Sequence, residues 1–220
     1  MSDQMNVDRV AAAWGQISSW LAEHAPLSSE ALLPPAPPQE VVAAEQKLRD
    51  YAGHGFPAEL KSLWSLCGGL QPVDLPEEDE DDGDLNPHGF IPEGDLLSPG
   101  WAVHACFRSD GFADESKPPE IQWVPFLGEH WEGGVFGRYV DAALSPSPVG
   151  RWDAMAGLQI GGGTCFPSIA DLLEQTVEGI THGGGPLVTD RQVPGLEKGC
   201  LTWQDPREPL MRHPAWRPLH

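Results

Sequence analysis

The chain is short of positive charge, of tyrosine and of any long apolar run. Lys and Arg together number 13 against 33 Asp and Glu, a formal net charge of −20. Such a chain repels phosphate backbones and anionic lipid surfaces, so direct nucleic-acid binding and membrane binding are not expected. No stretch reaches transmembrane length. The N-terminus lacks a basic region followed by an apolar one, so a signal peptide is not expected. Cys67, Cys106, Cys165 and Cys200 include no CxxC pair. Widely spaced cysteines fit free thiols in a reducing cytoplasm better than a disulfide framework.

The usual catalytic signatures are missing as well. There is no HExxH and no serine in a GxSxG turn. Ile160–Thr164, IGGGT, lacks the lysine of a phosphate-binding loop and reads as a turn before a helix. Cys165 precedes that helix, whose dipole could favour a thiolate, but no base is placed beside it. If Trp101–Cys106 is a strand, His104 and Cys106 share a face as half a zinc site, with no second pair at suitable spacing. No enzyme activity, no cofactor and no metal site are expected.

What the chain does have is proline, glycine and tryptophan. Gly 25 and Pro 23 among 220 residues imply long loops around a modest core. The nine tryptophans include Trp14, Trp64 and Trp123 at core-like positions. Helical periodicity runs from Asp8 to His24 through Val10, Trp14, Ile17 and Leu21, with Met1–Asn6 as a loose tail. Pro26 stops this helix. Pro34–Pro38, PPAPP, reads as a stiff connector, with recognition by a proline-binding domain as the rarer use of such a run. A second helix spans Glu40–Tyr51. A third follows Pro57, with Leu60, Leu63, Trp64 and Cys67 on one face and Gly68 and Gly69 placed to close it.

Beyond residue 85, apolar patches punctuated by Gly, Pro and Asp read as strands: Phe90-Ile91, Leu96-Leu97, Trp101–Phe107, Ile121–Leu127, Val135–Val140 and Arg151-Trp152. Pro125 predicts an edge or a bulge in the fourth of these. Phe166–Ile180 returns to helical period, with Ser168 as N-cap and Asp171 three residues on. Ile169, Leu172, Leu173, Val177 and Ile180 form its apolar stripe. The organisation expected is a flexible tail over 1–9, an α+β domain over 10–182, and a Gly/Pro-rich extension over 183–220 with one possible strand, Cys200–Trp203.

Two segments carry the recognition chemistry. Glu77, Glu78, Asp79, Glu80, Asp81, Asp82 and Asp84 form an acidic run within a loop over 76–88. Such a run repels itself and stays solvated. Set against an EF-hand with Gly83 at the invariant glycine, it puts Gly89 where the bidentate acid must sit, so a dedicated calcium site is not expected. Trp131 lies between apparent strands with Glu129 and Glu132 beside it. Two readings stay open: an interface anchor with an acidic rim, or a loop folded back on the core.

Several segments, in order, resemble the SUKH superfamily of Smi/Knr-type proteins. They are WGQISSWL, LLPPAPPQEVVAAEQKL, FPAELKSLWSLCGG, IQWVPFLGE, GGVFGRYVDAA ending its strand at Asp141, VGRW, and FPSIADLLEQTVEGI. The likeness covers about residues 10–180. The chain departs from the pattern in the loop from Gly128 to Gly134, which carries His130 and Trp131, and in the acidic insertion. The resemblance implies an α+β fold, a mixed or mainly antiparallel sheet with helices packed on it, and a binding protein rather than an enzyme. Bacterial members are commonly immunity proteins that neutralise toxins, often nucleases. Relatives elsewhere regulate cell-wall synthesis, which makes an intracellular scaffold or regulator the alternative role. The expected partner is a basic protein, held by Glu77, Glu78, Asp79, Glu80, Asp81, Asp82, Asp84, Trp131 and Glu132.

Overall fold

A computed structural model describes residues 2–74, 85–113, 122–129, 136–153, 157–159, 165–208 and 214–220. The acidic run, Trp131, Glu132 and the IGGGT turn lie outside the described residues. In chain order the elements are α1 Ser2–His24, α2 Pro26–Glu30, α3 Pro38–Ala52, α4 Ala58–Trp64, β1 Asp95–Leu96, α5 Pro99–Ala113, β2 Trp123–Gly128, β3 Phe136–Asp141, β4 Val149–Asp153, β5 Gly157–Gln159, α6 Ile169–His182, β6 Val193–Glu197, β7 Cys200–Gln204 and β8 Arg217–Pro218. Two antiparallel sheets form, one ordered β1-β2-β3-β4-β5 and the other β7-β6-β8. The fold is α+β.

The apolar stripe of α1 (Val10, Ala13, Trp14, Ile17, Leu21) is buried, and the helix packs on α4 and α6. The loose tail expected at the N-terminus is instead helix from Ser2 onward. Its first turns are held by polar contacts that hydrophobic periodicity cannot register. Buried Asn6 donates from Nδ2 to Glu59 Oε1 at 2.9 Å. Arg9 reaches Glu174 at 2.7 Å and Asp171 at 2.8 Å on α6.

The face predicted for α4 is the buried one: Leu60, Leu63, Trp64 and Cys67 all lie in the core. Trp64 satisfies its ring N–H on Leu97 O at 2.9 Å and meets Phe56 edge-on at 4.7 Å. Pro57 is the N-cap and not a first-turn residue, and the helix ends at Ser65, before the two glycines. Gly68 and Gly69 serve a different end. The Gly68 N–H donates to Pro34 O at 2.9 Å, and Gly69, at φ 124°, passes against the backbone of Ser98. The proline run is therefore docked, with Ala36 N–H bound to Trp64 O at 2.8 Å.

Trp101–Phe107 is helix, correcting the expected strand. Ser98 accepts the Trp101 N–H on Oγ at 3.3 Å, and Pro99 opens the first turn. Ala102, Val103, Ala105 and Cys106 are buried while His104 is exposed, which is helical and not alternating burial. His104 and Cys106 thus part company, and the half zinc site dissolves. Phe90 and Ile91 are core residues in a turn segment and form no strand.

In the larger sheet β2 is buried along its length, and the register shifts between Pro125 and Leu127, the bulge that Pro125 predicts. The shift lets Phe126 and Leu127 both join the main core. Trp123, Tyr139 and Trp152 form a small aromatic cluster of their own. Gly150 is required there, because a Cβ would stand 2.5 Å from the Tyr139 ring. Ser168 caps α6 through the Asp171 N–H at 3.1 Å, as expected, and Ile169, Leu172, Leu173 and Ile180 are buried.

Residues 183–220 are more than an extension with one strand. The β6–β7 hairpin turns through Lys198 and Gly199, both at positive φ, and Arg217–Pro218 adds a third strand. The outer edge of β7 is covered by α2: Leu27 N–H meets Gly199 O at 3.0 Å, and Ser28 Oγ takes the Leu201 N–H at 3.0 Å. Leu187 and Leu201 enter the main core.

Candidate functional site: an acidic cleft between the sheets

The two sheets leave a cleft of about 280 Å³ between the turn 86–95, the start of β3 and the strands β6 and β7. Four carboxylates from three parts of the chain line it: Glu93, Asp95, Glu129 and Glu197. Ile91, Phe136 and Trp203 supply apolar wall. Trp203 is pinned by its ring N–H to Phe90 O at 3.0 Å.

Each carboxylate is positioned by a different local device. Glu93 sits at φ 69°, the left-handed region that a side chain of this kind seldom occupies. Two arginines hold it there, Arg138 at 2.6 Å and Arg151 at 3.2 Å. Arg138 is 1% exposed, and its guanidinium lies 5.0 Å over the Phe166 ring. Burial pulls that guanidinium below its ordinary range while Glu93 pulls it back. Glu197 is 1% exposed and accepts from Gln204 Nε2 at 3.1 Å. Asp95 is buried on β1, with His88 Nδ1 at 4.0 Å. Glu129 closes the end of β2, its N–H bound to Phe136 O at 2.9 Å.

The cleft also collects the stems of both segments singled out in the sequence. Asn86 lies just beyond the acidic run, and Glu129 and Phe136 bracket Trp131 and Glu132. Of the four cleft carboxylates the sequence singles out Glu129 alone, as part of an acidic rim beside Trp131, and not Glu93, Asp95 or Glu197. The turn composition of Pro92-Glu93-Gly94-Asp95 was the available signal for two of them. Glu197 carries none, since only tertiary folding brings it to the others.

The remaining chemical candidates are placed as follows. Cys67 is buried, its thiol pushed up to about 11 by burial, which suppresses the nucleophilic thiolate. Burial pushes the Tyr139 phenol up to about 12. Cys165 is half-buried ahead of α6. Among the described residues no three His, Cys, Asp or Glu side chains are grouped to hold a metal ion. No helix of the described residues is long and apolar enough to cross a membrane. A larger groove of about 460 Å³ lies between α3 and α5, lined by Glu40, Ala44, Lys47, Val103 and His104, and it mixes both signs of charge. No family model matches the chain, and no curated protein matches it.

Proposed function

We propose that the chain is a non-enzymatic, cytoplasmic binding protein that takes a basic protein partner on the acidic surface around this cleft. The role that suits such a surface is immunity: covering the cationic face of a toxin, as of a nuclease, and substituting carboxylates for the phosphates that face would hold. The observation that carries the reading is the convergence on one cleft of four carboxylates with the stems of the acidic run and of the Trp131 loop. The charged residues lining the cleft among those described are all acidic, with Glu93 compensated by Arg138 and Arg151; acidic groups gathered between low-dielectric walls focus a field outward and speed encounter with an opposite charge. The net charge of −20 extends that field over the whole molecule. The ordered likeness to SUKH segments supports a binding role from a separate direction.

The test is to isolate the partner by affinity capture from the native host and measure its association rate against salt. Wild type is compared with a variant in which Glu77, Glu78, Asp79, Glu80, Asp81, Asp82 and Asp84 are replaced by Ser or Asn. The expected outcome is a basic partner, toxic when expressed alone, whose association is slower and less salt-dependent with the variant. A neutral partner held at high salt, with an unchanged on-rate for the variant, would overturn occlusion and favour the scaffold role.

A further inference from the structure

His88 sits where three segments meet. Its Nε2 lies 2.9 Å from Gln71 O. A carbonyl can only accept, so Nε2 carries a proton there. Its Nδ1 lies 4.0 Å from Asp95 Oδ2, and both side chains are largely buried, 15% and 7% exposed. With Nε2 already protonated, a neutral ring turns the Nδ1 lone pair toward a carboxylate. A second proton on Nδ1 makes the same geometry attractive, because both ring nitrogens then donate toward acceptors.

We propose that His88 is a proton-operated clasp, which on taking a second proton ties the 71–74 segment to β1 through Gln71 and Asp95 and neutralises one carboxylate of the acidic cleft. Asp95 from β1 is one charged group facing the ring. The 71–74 segment offers the Gln71 carbonyl, and the ring's own turn offers Asn86, which accepts the His88 backbone N–H at 3.0 Å. Glu93, two residues before Asp95, is engaged by Arg138 and Arg151. The clasp thus joins the chain on either side of the acidic run and tunes the cleft's charge across the range where histidine titrates. It does not depend on the identity of any partner.

The test is a histidine-resolved NMR titration of the full chain, with His88→Gln identifying the resonance and Asp95→Asn removing the facing charge. The expected result is a midpoint above the ordinary histidine value in wild type, falling back toward it in Asp95→Asn. A wild-type midpoint at or below the ordinary value, or one unmoved by Asp95→Asn, overturns the clasp. Should Asp95→Asn fail to fold, chemical denaturation of wild type and His88→Gln against pH decides the matter. Gln keeps a donor for Gln71 O but cannot take the proton. The wild-type advantage should be full in acid and disappear as pH rises through the folded-state midpoint; parallel profiles overturn the proposal.

Discussion

The helical junction at the start of α1 and the cleft between the sheets both gather carboxylates, but they arrange them differently. At the junction every acid is matched locally. Glu59, 4% exposed, accepts from Asn6 Nδ2 at 2.9 Å and from the Ala170 N–H at 3.1 Å. Asp171 and Glu174 share Arg9. Those bonds join α1, α4 and α6, so the carboxylates there act as mortar between helices. In the cleft, four acidic residues from three parts of the chain line one cavity: Glu93 takes both Arg138 and Arg151, Glu197 accepts from Gln204, and His88 lies beside Asp95. Carboxylates can thus fasten helices to one another or gather around a shared cavity.

The core supports both regions, and its loss should have the largest effect. Trp64→Ala should cost about 3–5 kcal/mol by chemical denaturation, because a fully buried ring and its bond to Leu97 O are lost together. A loss well under about 1 kcal/mol would mean that α4 does not anchor the junction. Glu93→Gln comes next. It leaves the buried Arg138 guanidinium without its ion pair, at a cost of about 3 kcal/mol. A neutral outcome would show that Phe166 and the surrounding groups alone satisfy Arg138.

At the junction, Glu59→Ala strands the donors on Asn6 and Ala170 and should cost about 1–3 kcal/mol. Its pH behaviour sharpens the contrast. Burial holds the Glu59 carboxyl above its usual range against the pull of its donors, so the folded chain holds that proton more tightly than the unfolded one. The contribution is therefore full below the ordinary carboxylate range and declines as pH rises through the raised value. Glu59→Gln should flatten that decline in a stability–pH series; an unchanged slope would assign it elsewhere. The smallest effect concerns the thiols. Half-buried Cys165 should label first at neutral pH, and Cys67, Cys106 and Cys200 only on unfolding.

Much of the helical half was legible in the sequence because α3, α4 and α6 repeat apolar residues at three- and four-residue steps, and Ser168 announces its own cap. The segment that became α5 was not, because Trp101–Phe107 is nearly all apolar and satisfies either period. The start signal at Ser98-Pro99 was the clue that was passed over. The first turns of α1 were missed because polar bonds, through Asn6 and Arg9, fasten them. The small C-terminal sheet hides behind Pro194, Gly195 and Pro218, residues that ordinarily argue against strands, and α2 covers its edge only once folded. The bulge at Pro125 was readable from one residue. The cleft was not, since its carboxylates stand up to about a hundred residues apart and converge only through strand pairing and the turn 86–95.

Occlusion by the acidic surface is tested by the salt dependence of association between the wild-type chain and its captured partner, set beside the variant lacking the seven acids of Glu77–Asp84. Electrostatic occlusion requires a fast, strongly salt-dependent on-rate for wild type and a slower, flatter one for the variant. Identical on-rates for the two at low salt would contradict it.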